Sequence, residues 1–322
     1  MATKVIKAFL MGSIFRRWSK SSKCGGNKTQ IEDHRDSAAT SDDNSEPLPS
    51  ESGTACVYWG QLPDGTQIAV KRLRSGSSLN SDKEFAEEAG KMGKMLHKNV
   101  MRLRGYCVER DERILVYSYM PNSSLLAHLH GAFSYDNLLD WRKRVRIALG
   151  CAEGLAYLHH SANPPMIHGN IKASNILLTD DFQPLYTDYG IAALMKKPAL
   201  KVKVALGYTA PECSSGEAAT LQSDVFSFGI LLLELISGRR PTEKVEFSMK
   251  QHIVDWAEPL ILEGKLDCLV DPKLQGRFVP EELKKLVFAA TICAQTSSHS
   301  RPSMARVVEL LQGVEKNEVA SV

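Results

Sequence analysis

The chain has 322 residues, is 43% apolar, and carries 40 basic against 37 acidic side chains for a net charge of +3. That length and apolar content can bury a large core or two smaller ones, which excludes disorder throughout, and the small, interspersed charge leaves no nucleic-acid footprint. The seven cysteines are odd in number and lack CxxC spacing, which points to reduced thiols in a cytosolic setting rather than to disulfides or a zinc site.

Residues 1–24 mix Val5, Ile6, Phe9, Leu10, Ile14, Phe15 and Trp18 with six lysines and arginines and contain no acid. Two readings stay open: a basic amphipathic segment lying on an anionic membrane surface, and a mobile basic tail. No small-residue cleavage site follows a clean apolar stretch, which argues against a secretory signal. Met11-Gly12-Ser13 resembles a myristoylation start, although Met11 is internal and Arg16 stands where Ser or Thr is expected. Residues 25–52 turn to Ser, Asp, Glu, Asn, Thr and Pro with almost no large apolar residue; such a composition cannot offset the entropy of ordering, and it reads as a disordered linker.

Order is expected from residue 53. Val57 to Leu62, a Pro63-Asp64-Gly65 turn, and Gln67 to Lys71 read as strand, hairpin and strand. Ser81 and Asp82 can cap a helix that carries Phe85, Ala89, Met92 and Met95 on one face. Further strands are expected at Met101–Cys107 and Ile114–Tyr119. Beyond Pro121 the spacing is helical, over 141–160, 223–237, 253–263, 280–294 and 304–311. The longest apolar run, Ile230 to Ile236, is too short to span a bilayer and is interrupted by Glu234, so it reads as a core helix. Strands first and helices afterwards make an α+β chain, with a strand-rich part at 53–121, a helical part at 122–313 and a tail at 314–322.

Several short motifs occur in one order between Val57 and Gly313: Ile68-Ala69-Val70-Lys71, then Glu88, then His168-Gly169-Asn170-Ile171-Lys172-Ala173-Ser174-Asn175, then Asp188-Tyr189-Gly190, Ala210-Pro211-Glu212, Asp224 and Arg301. Each alone has an ordinary reading, Lys71 as a strand lysine and Asp188-Tyr189-Gly190 as a turn; their joint order is far more specific. With Arg104-Gly105-Tyr106-Cys107 and Leu115-Val116-Tyr117-Ser118-Tyr119-Met120-Pro121-Asn122, the chain resembles the plant receptor-like cytoplasmic kinases of the Pti-like (Pto-interacting) group.

The resemblance implies a bilobal kinase-like fold, with a small antiparallel-sheet lobe carrying one main helix and a mostly helical second lobe. It implies that Lys71 faces the ATP phosphates and pairs with Glu88, and that Val57, Ala69 and the hinge Ser118, Tyr119 and Met120 line the adenine. Asn175 and Asp188 would hold Mg²⁺, with Lys172 facing the phosphate. It implies a buried Glu212–Arg301 ion pair and a bracing rather than chemical part for His168.

The departures fall on the chemistry. Asn170 stands where the kinase pattern has the aspartate that accepts the substrate proton, and an amide cannot take a proton near neutral pH. Ser50, Ser52 and Ala55 stand where the phosphate lid has glycines, with only Gly53 remaining at a spacer position; side chains there should loosen the lid. Pro47 and Pro49 fall in the first strand of the small lobe, which should be short or absent. Val204-Ala205 replaces a Gly-Thr whose threonine bonds the catalytic aspartate and lysine in the family. Between Gly190 and Ala210 the segment is basic and holds no Ser or Thr before Thr209. Gly169 in place of arginine puts the loop in the class that does not pair with an activation-loop phosphate.

The expectation is therefore a protein-kinase-like signalling protein that binds ATP and Mg²⁺ weakly with little or no phosphotransfer, a pseudokinase. The alternative is a weak Ser/Thr kinase, favoured by Lys172. Other signalling proteins such as receptor kinases are the implied partners, in transient complexes of a monomer. The implied place is the cytoplasm, with peripheral plasma-membrane contact through the basic N-terminus.

Overall fold

A computed structural model gives the architecture, and it describes residues 55–73, 81–109, 112–131, 133–136, 138–194, 207–244 and 250–315. Ser50, Ser52, Gly53, Pro47, Pro49, Val204, Ala205, the basic N-terminal segment, the linker and the tail beyond 315 lie outside the described residues. The chain divides into two compact units.

The first unit holds four strands, β1 (Ala55–Gln61), β2 (Gln67–Leu73), β3 (Gly105–Glu109) and β4 (Glu112–Ser118), in one antiparallel sheet of order β1-β2-β4-β3. Period-two alternation decides its faces. Ile68, Cys107, Ile114 and Val116 form a closed apolar cluster on one side, with Leu62 and Val70 against it. Lys71, opposed to Val57 on β1 and Leu115 on β4, belongs to the other side, as does Ala69 opposite Trp59 and Tyr117.

Helix α1 (Asp82–Met92) begins at a full capping box: the Ser81 hydroxyl accepts the Glu84 N–H at 3.4 Å, and the Glu84 carboxylate takes the Ser81 N–H at 2.9 Å. Its apolar stripe Phe85, Ala89 and Met92 is buried, with Phe85 edge-on to Tyr106 of β3 at 6.4 Å between ring centroids. The sequence predicts a strand from Met101; the ladder starts only at Gly105. Met101 and Leu103 are buried between exposed arginines, and the Arg104 N–H donates to the Val116 carbonyl of β4 at 2.8 Å, so this stretch alternates like a strand and leads into the ladder.

The second unit is mostly helical. Its centre is α4 (Leu221–Ser237), buried at fourteen of its seventeen positions, as an all-round apolar helix must be. A Thr220–Ser223 capping box starts α4, and Gly238 at φ +64° ends it. Around it stand α2 (Leu125–His130), α3 (Trp141–Ala156), α5 (Ile253–Leu262), α6 (Pro280–Cys293) and α7 (Met304–Glu315), with α6 along α4 and α7 along α3. A π-turn, Tyr157–Ser161, extends α3.

The buried Arg144 guanidinium donates to the carbonyls of Leu139 and Leu235 and to Asp271 at 2.6 Å, tying α3 to the end of α4. Two short hairpins complete the unit: β5 (Ile176–Leu178) with β6 (Pro184–Tyr186), and β7 (Thr242–Lys244) with β8 (Lys250–His252). Among the described residues no helix is long and apolar enough to cross a membrane.

Candidate functional site

In the first unit, Lys71, Val57 and Ala69 share the sheet face opposite the closed apolar cluster, while Ser118, paired with Ile68, ends β4 on the cluster side and Tyr119 and Met120 follow it. Lys71 is 9% exposed while Val57 opposite it is 54% exposed. Beyond β4, the Tyr119 N–H is taken by the Gln67 carbonyl at 3.2 Å, and the Ser118 hydroxyl accepts from Arg104 Nε at 2.7 Å. Among the described residues no backbone hydrogen bond occupies Met120, which leaves its N–H and C=O available to a planar ligand edge.

Glu88 departs from the expectation. Its carboxylate bonds Lys91, one turn further along α1, at 2.6 Å, and among the described ion pairs none joins it to Lys71. A partner three residues away on the same helix is reached without ordering a second element. The Glu88 hydrogen bond and charge raise the Lys91 pKa.

In the second unit, the β5–β6 hairpin converts sequence distance into adjacency. Asn175 directly precedes β5 and Thr187 directly follows β6, and with Ile176 opposite Tyr186 the Thr187 N–H donates to the Asn175 carbonyl at 2.9 Å. Asp188 is therefore one residue from the pair that closes the hairpin. It stands at φ +66°, a left-handed conformation that costs a non-glycine residue about 1–2 kcal/mol and recurs at functional sites. Thr187 Oγ1 donates to its Oδ1 at 3.4 Å. The Asn175 side-chain amide donates from Nδ2 to the Asn170 carbonyl at 2.8 Å, which fixes the amide's orientation and leaves Oδ1, its acceptor, as the atom for a cation.

The donor set fits Mg²⁺. An amide oxygen and a carboxylate are hard ligands, and this ion takes one or two protein oxygens and fills its octahedron with water and phosphate oxygens. Among the described residues no cluster of three or more His, Cys, Asp or Glu forms a protein-only cage. Asn175 and Asp188 would hold the ion, which supplies charge neutralisation to a bound phosphate.

The loop that leads into Asn175 is fixed by Asp224 of α4, which is 1% exposed. Its Oδ2 accepts the His168 N–H at 2.7 Å and pairs with His159 Nε2 at 3.1 Å; its Oδ1 accepts the Gly169 N–H at 2.8 Å. Gly169 sits at φ +71°, where glycine alone avoids the Cβ penalty. His168 is buried, and burial is the main cause of its lowered pKa, so it is a neutral imidazole near pH 7. Its Nδ1 accepts the Asn170 N–H at 3.3 Å, which puts the proton on Nε2. Among the described residues no hydrogen bond engages the Asn170 side chain, and none engages Lys172 Nζ.

The Glu212–Arg301 pair is present and bidentate, at 2.6 and 2.8 Å. Arg301 also donates to the carbonyls of Gln222, Gln295 and Thr296, and its hydrogen bond holds the Glu212 carboxyl below its ordinary pKa. His159, Glu234, His130 and Tyr208 lie outside the site residues that the sequence motifs single out. His159 reaches Asp224 through the π-turn, a geometry with no short-range sequence signal, while Glu234, an acid inside an apolar run, was the visible hint of a buried partner.

A family model described as protein tyrosine and serine/threonine kinase matches residues 52–311. A PTI1-like tyrosine-protein kinase of Arabidopsis thaliana is 43% identical over 88% of this chain and 80% of its own length. The serine/threonine-protein kinase CDG1 of the same plant is 40% identical over 88% of this chain and 68% of its own length. The proline-rich receptor-like protein kinase PERK12 of Arabidopsis thaliana is 40% identical over 81% of this chain, which spans 37% of that longer protein.

Among solved structures, the pseudokinase domain of BIR2, an immune regulator of the RLK/Pelle family, superposes with a TM-score of 0.73 at 36% identity, covering 85% of this chain and 83% of its own. The kinase domain of maize SIRK1 bound to AMP-PNP superposes with a TM-score of 0.72 at 32% identity, covering 81% and 89%. With a sheet-bearing unit, a helical unit and these matches over most of its length, the chain belongs to the protein tyrosine and serine/threonine kinase family.

Proposed function

We propose that this chain is a pseudokinase of receptor-like kinase signalling, one that binds ATP with Mg²⁺ weakly and transfers little or no phosphate. The observation that carries the reading is Asn170: an amide holds the base position, while the neighbouring oxygens of Asn175 and Asp188 still suit the metal. Losing a general base costs about 10² to 10⁴ in rate, against kinase turnover of roughly 1 to 100 per second. On the binding side, Lys71 would meet the phosphates and Val57, Ala69 and the Ser118–Met120 backbone the adenine. The SIRK1 kinase domain that this chain resembles was solved with AMP-PNP, which supports a nucleotide; the BIR2 neighbour, a pseudokinase, supports the loss of transfer.

A slow Ser/Thr kinase is the second reading, favoured by Lys172 and by the unengaged Asn170 amide, which can orient a hydroxyl by hydrogen bonding. As a signalling module the chain would present its surface to receptor kinases, with the basic residues 1–24 touching an anionic membrane. Thermal unfolding with and without millimolar Mg·ATP tests binding by mass action; a shift of several degrees is expected, and no shift removes the claim. Fractionation of the full chain against one beginning at Lys28 tests membrane contact: only the full chain should sediment with anionic vesicles.

A further inference from the structure

The 3₁₀ turn Ala173–Asn175 ends at the metal-ligand candidate, and its first N–H has no acceptor within the turn. The N-cap residue Lys172 offers no side-chain bond, and Ala173 is fully buried, so water cannot fill the gap. The acceptor comes from 35 residues away: the Tyr208 hydroxyl stands 3.2 Å from the Ala173 nitrogen. That hydroxyl donates to Oε2 of Glu234, a carboxylate with no exposure, whose other oxygen pairs with His130 Nε2 at 2.8 Å. Burial, then the charge of Glu234, pushes the Tyr208 pKa well above its usual value, so the hydroxyl keeps its proton for Glu234 and its lone pair for Ala173.

Tyr208 itself is pinned at the backbone. Its carbonyl accepts from Ser227 Oγ on α4 at 2.7 Å, and the Gly207 carbonyl meets His252 Nε2 at 2.7 Å. Gly207 lies at φ +89°, and a Cβ there would stand 2.5 Å from Thr242 Oγ1. The hydroxyl is held from both ends and cannot drift from the turn it caps.

We propose that Tyr208, oriented by Glu234 and His130, is a positioning residue: its hydroxyl caps the Ala173–Asn175 turn and thereby sets where the Asn175 amide oxygen stands. The consequence for magnesium rests on the function proposed above; the cap itself does not.

Amide hydrogen exchange on the nucleotide-free chain separates the two. In the natural chain the Ala173 amide should be protected about 100-fold or more, despite opening a turn; an unprotected Ala173 overturns the proposal without any variant. In Tyr208→Phe its protection should fall about tenfold more than that of the α4 amides, which report global stability. Glu234→Gln, which keeps an oxygen to accept from Tyr208, should retain the protection that Glu234→Ala loses. A folded Tyr208→Phe in which Ala173 falls no further than α4 refutes the cap. Titration should show Tyr208→Phe weakening Mg·ATP about three- to tenfold while leaving ATP in EDTA unchanged, a split that general destabilisation does not produce; equal weakening of both refutes positioning. A natural chain that binds no Mg·ATP yet shows the expected exchange pattern refutes the nucleotide reading and leaves the cap standing.

Discussion

Asp224→Asn removes one oxygen from a carboxylate that three donors share, and the structure fixes what that costs. The surviving oxygen does best at the Oδ2 position, where it keeps the His168 N–H and His159. The new NH₂ then faces the Gly169 N–H, donor against donor. A buried donor left unpaired costs about 1–3 kcal/mol, and exchanging two bonds to a charged acceptor for two to a neutral one costs roughly 1 kcal/mol each. The sum is roughly 3–5 kcal/mol, a large share of the 5–15 kcal/mol that holds a typical domain.

At about 2–4 °C per kcal/mol for a domain of this size, the melting temperature should fall by roughly 6–20 °C. Thermal and urea unfolding followed by far-UV circular dichroism reads it, with the exposed Asp255→Asn as a control that should lose less than about 1 kcal/mol. A melting temperature within about 2 °C of the natural chain would mean that Asp224 does not hold the loop at His168 and Gly169.

Arg301→Met should destabilise by about 3–5 kcal/mol, because it strands Glu212 and three carbonyls, and adding Glu212→Gln should recover part of the loss in a double-mutant cycle. Since Arg301 lowers the folded pKa of Glu212, that contribution is fully present above the unfolded value of about 4.5 and fades as pH falls through the folded one; unfolding at pH 7 and at pH 3 should show the gap between the natural chain and Arg301→Met narrowing in acid. Gly169→Ala should cost about 1–2 kcal/mol in a urea melt, from the φ of +71° alone. Lys91→Ala removes a solvent-exposed pair within one helix, so stability should barely move; by releasing Glu88 it should tighten Mg·ATP about two- to fivefold in a titration, and unchanged affinity would show that Lys91 does not compete for that carboxylate.

What the sequence disclosed and what it hid follow from the range of each interaction. Helix α1 was legible because its signals are local: Ser81 and Glu84 close a box three residues wide, and Phe85, Ala89 and Met92 repeat at helical spacing. The same holds for β2, where Ile68 and Val70 alternate with Ala69 and Lys71. At Met101–Arg104 burial alternates as in a strand, yet the ladder register begins only at Gly105, because alternation marks which side chains are buried and not where the backbone register starts. The β7–β8 hairpin gave no warning, as Thr242-Glu243-Lys244 and Lys250-Gln251-His252 carry no apolar face.

At the site, motif order singled out Asn170, Asn175 and Asp188 without showing that β5 and β6 make the last two neighbours. The choice of Glu88 between Lys71 and Lys91 is a contest between a distant and a local partner, and spacing alone does not decide it. The bond from Tyr208 to Ala173 joins residues 35 apart through a hydroxyl and a backbone N–H, a contact that leaves no periodic trace.

The separation of binding from transfer at Asn170 is tested most directly by single-turnover transfer of the γ-phosphate from saturating Mg·ATP, comparing the natural chain with Asn170→Asp and with Asp188→Asn as the metal-ligand control. The natural chain should transfer no more than Asp188→Asn. Robust transfer by the natural chain that Asp188→Asn abolishes would contradict the pseudokinase reading and make this protein an enzyme that works without the carboxylate.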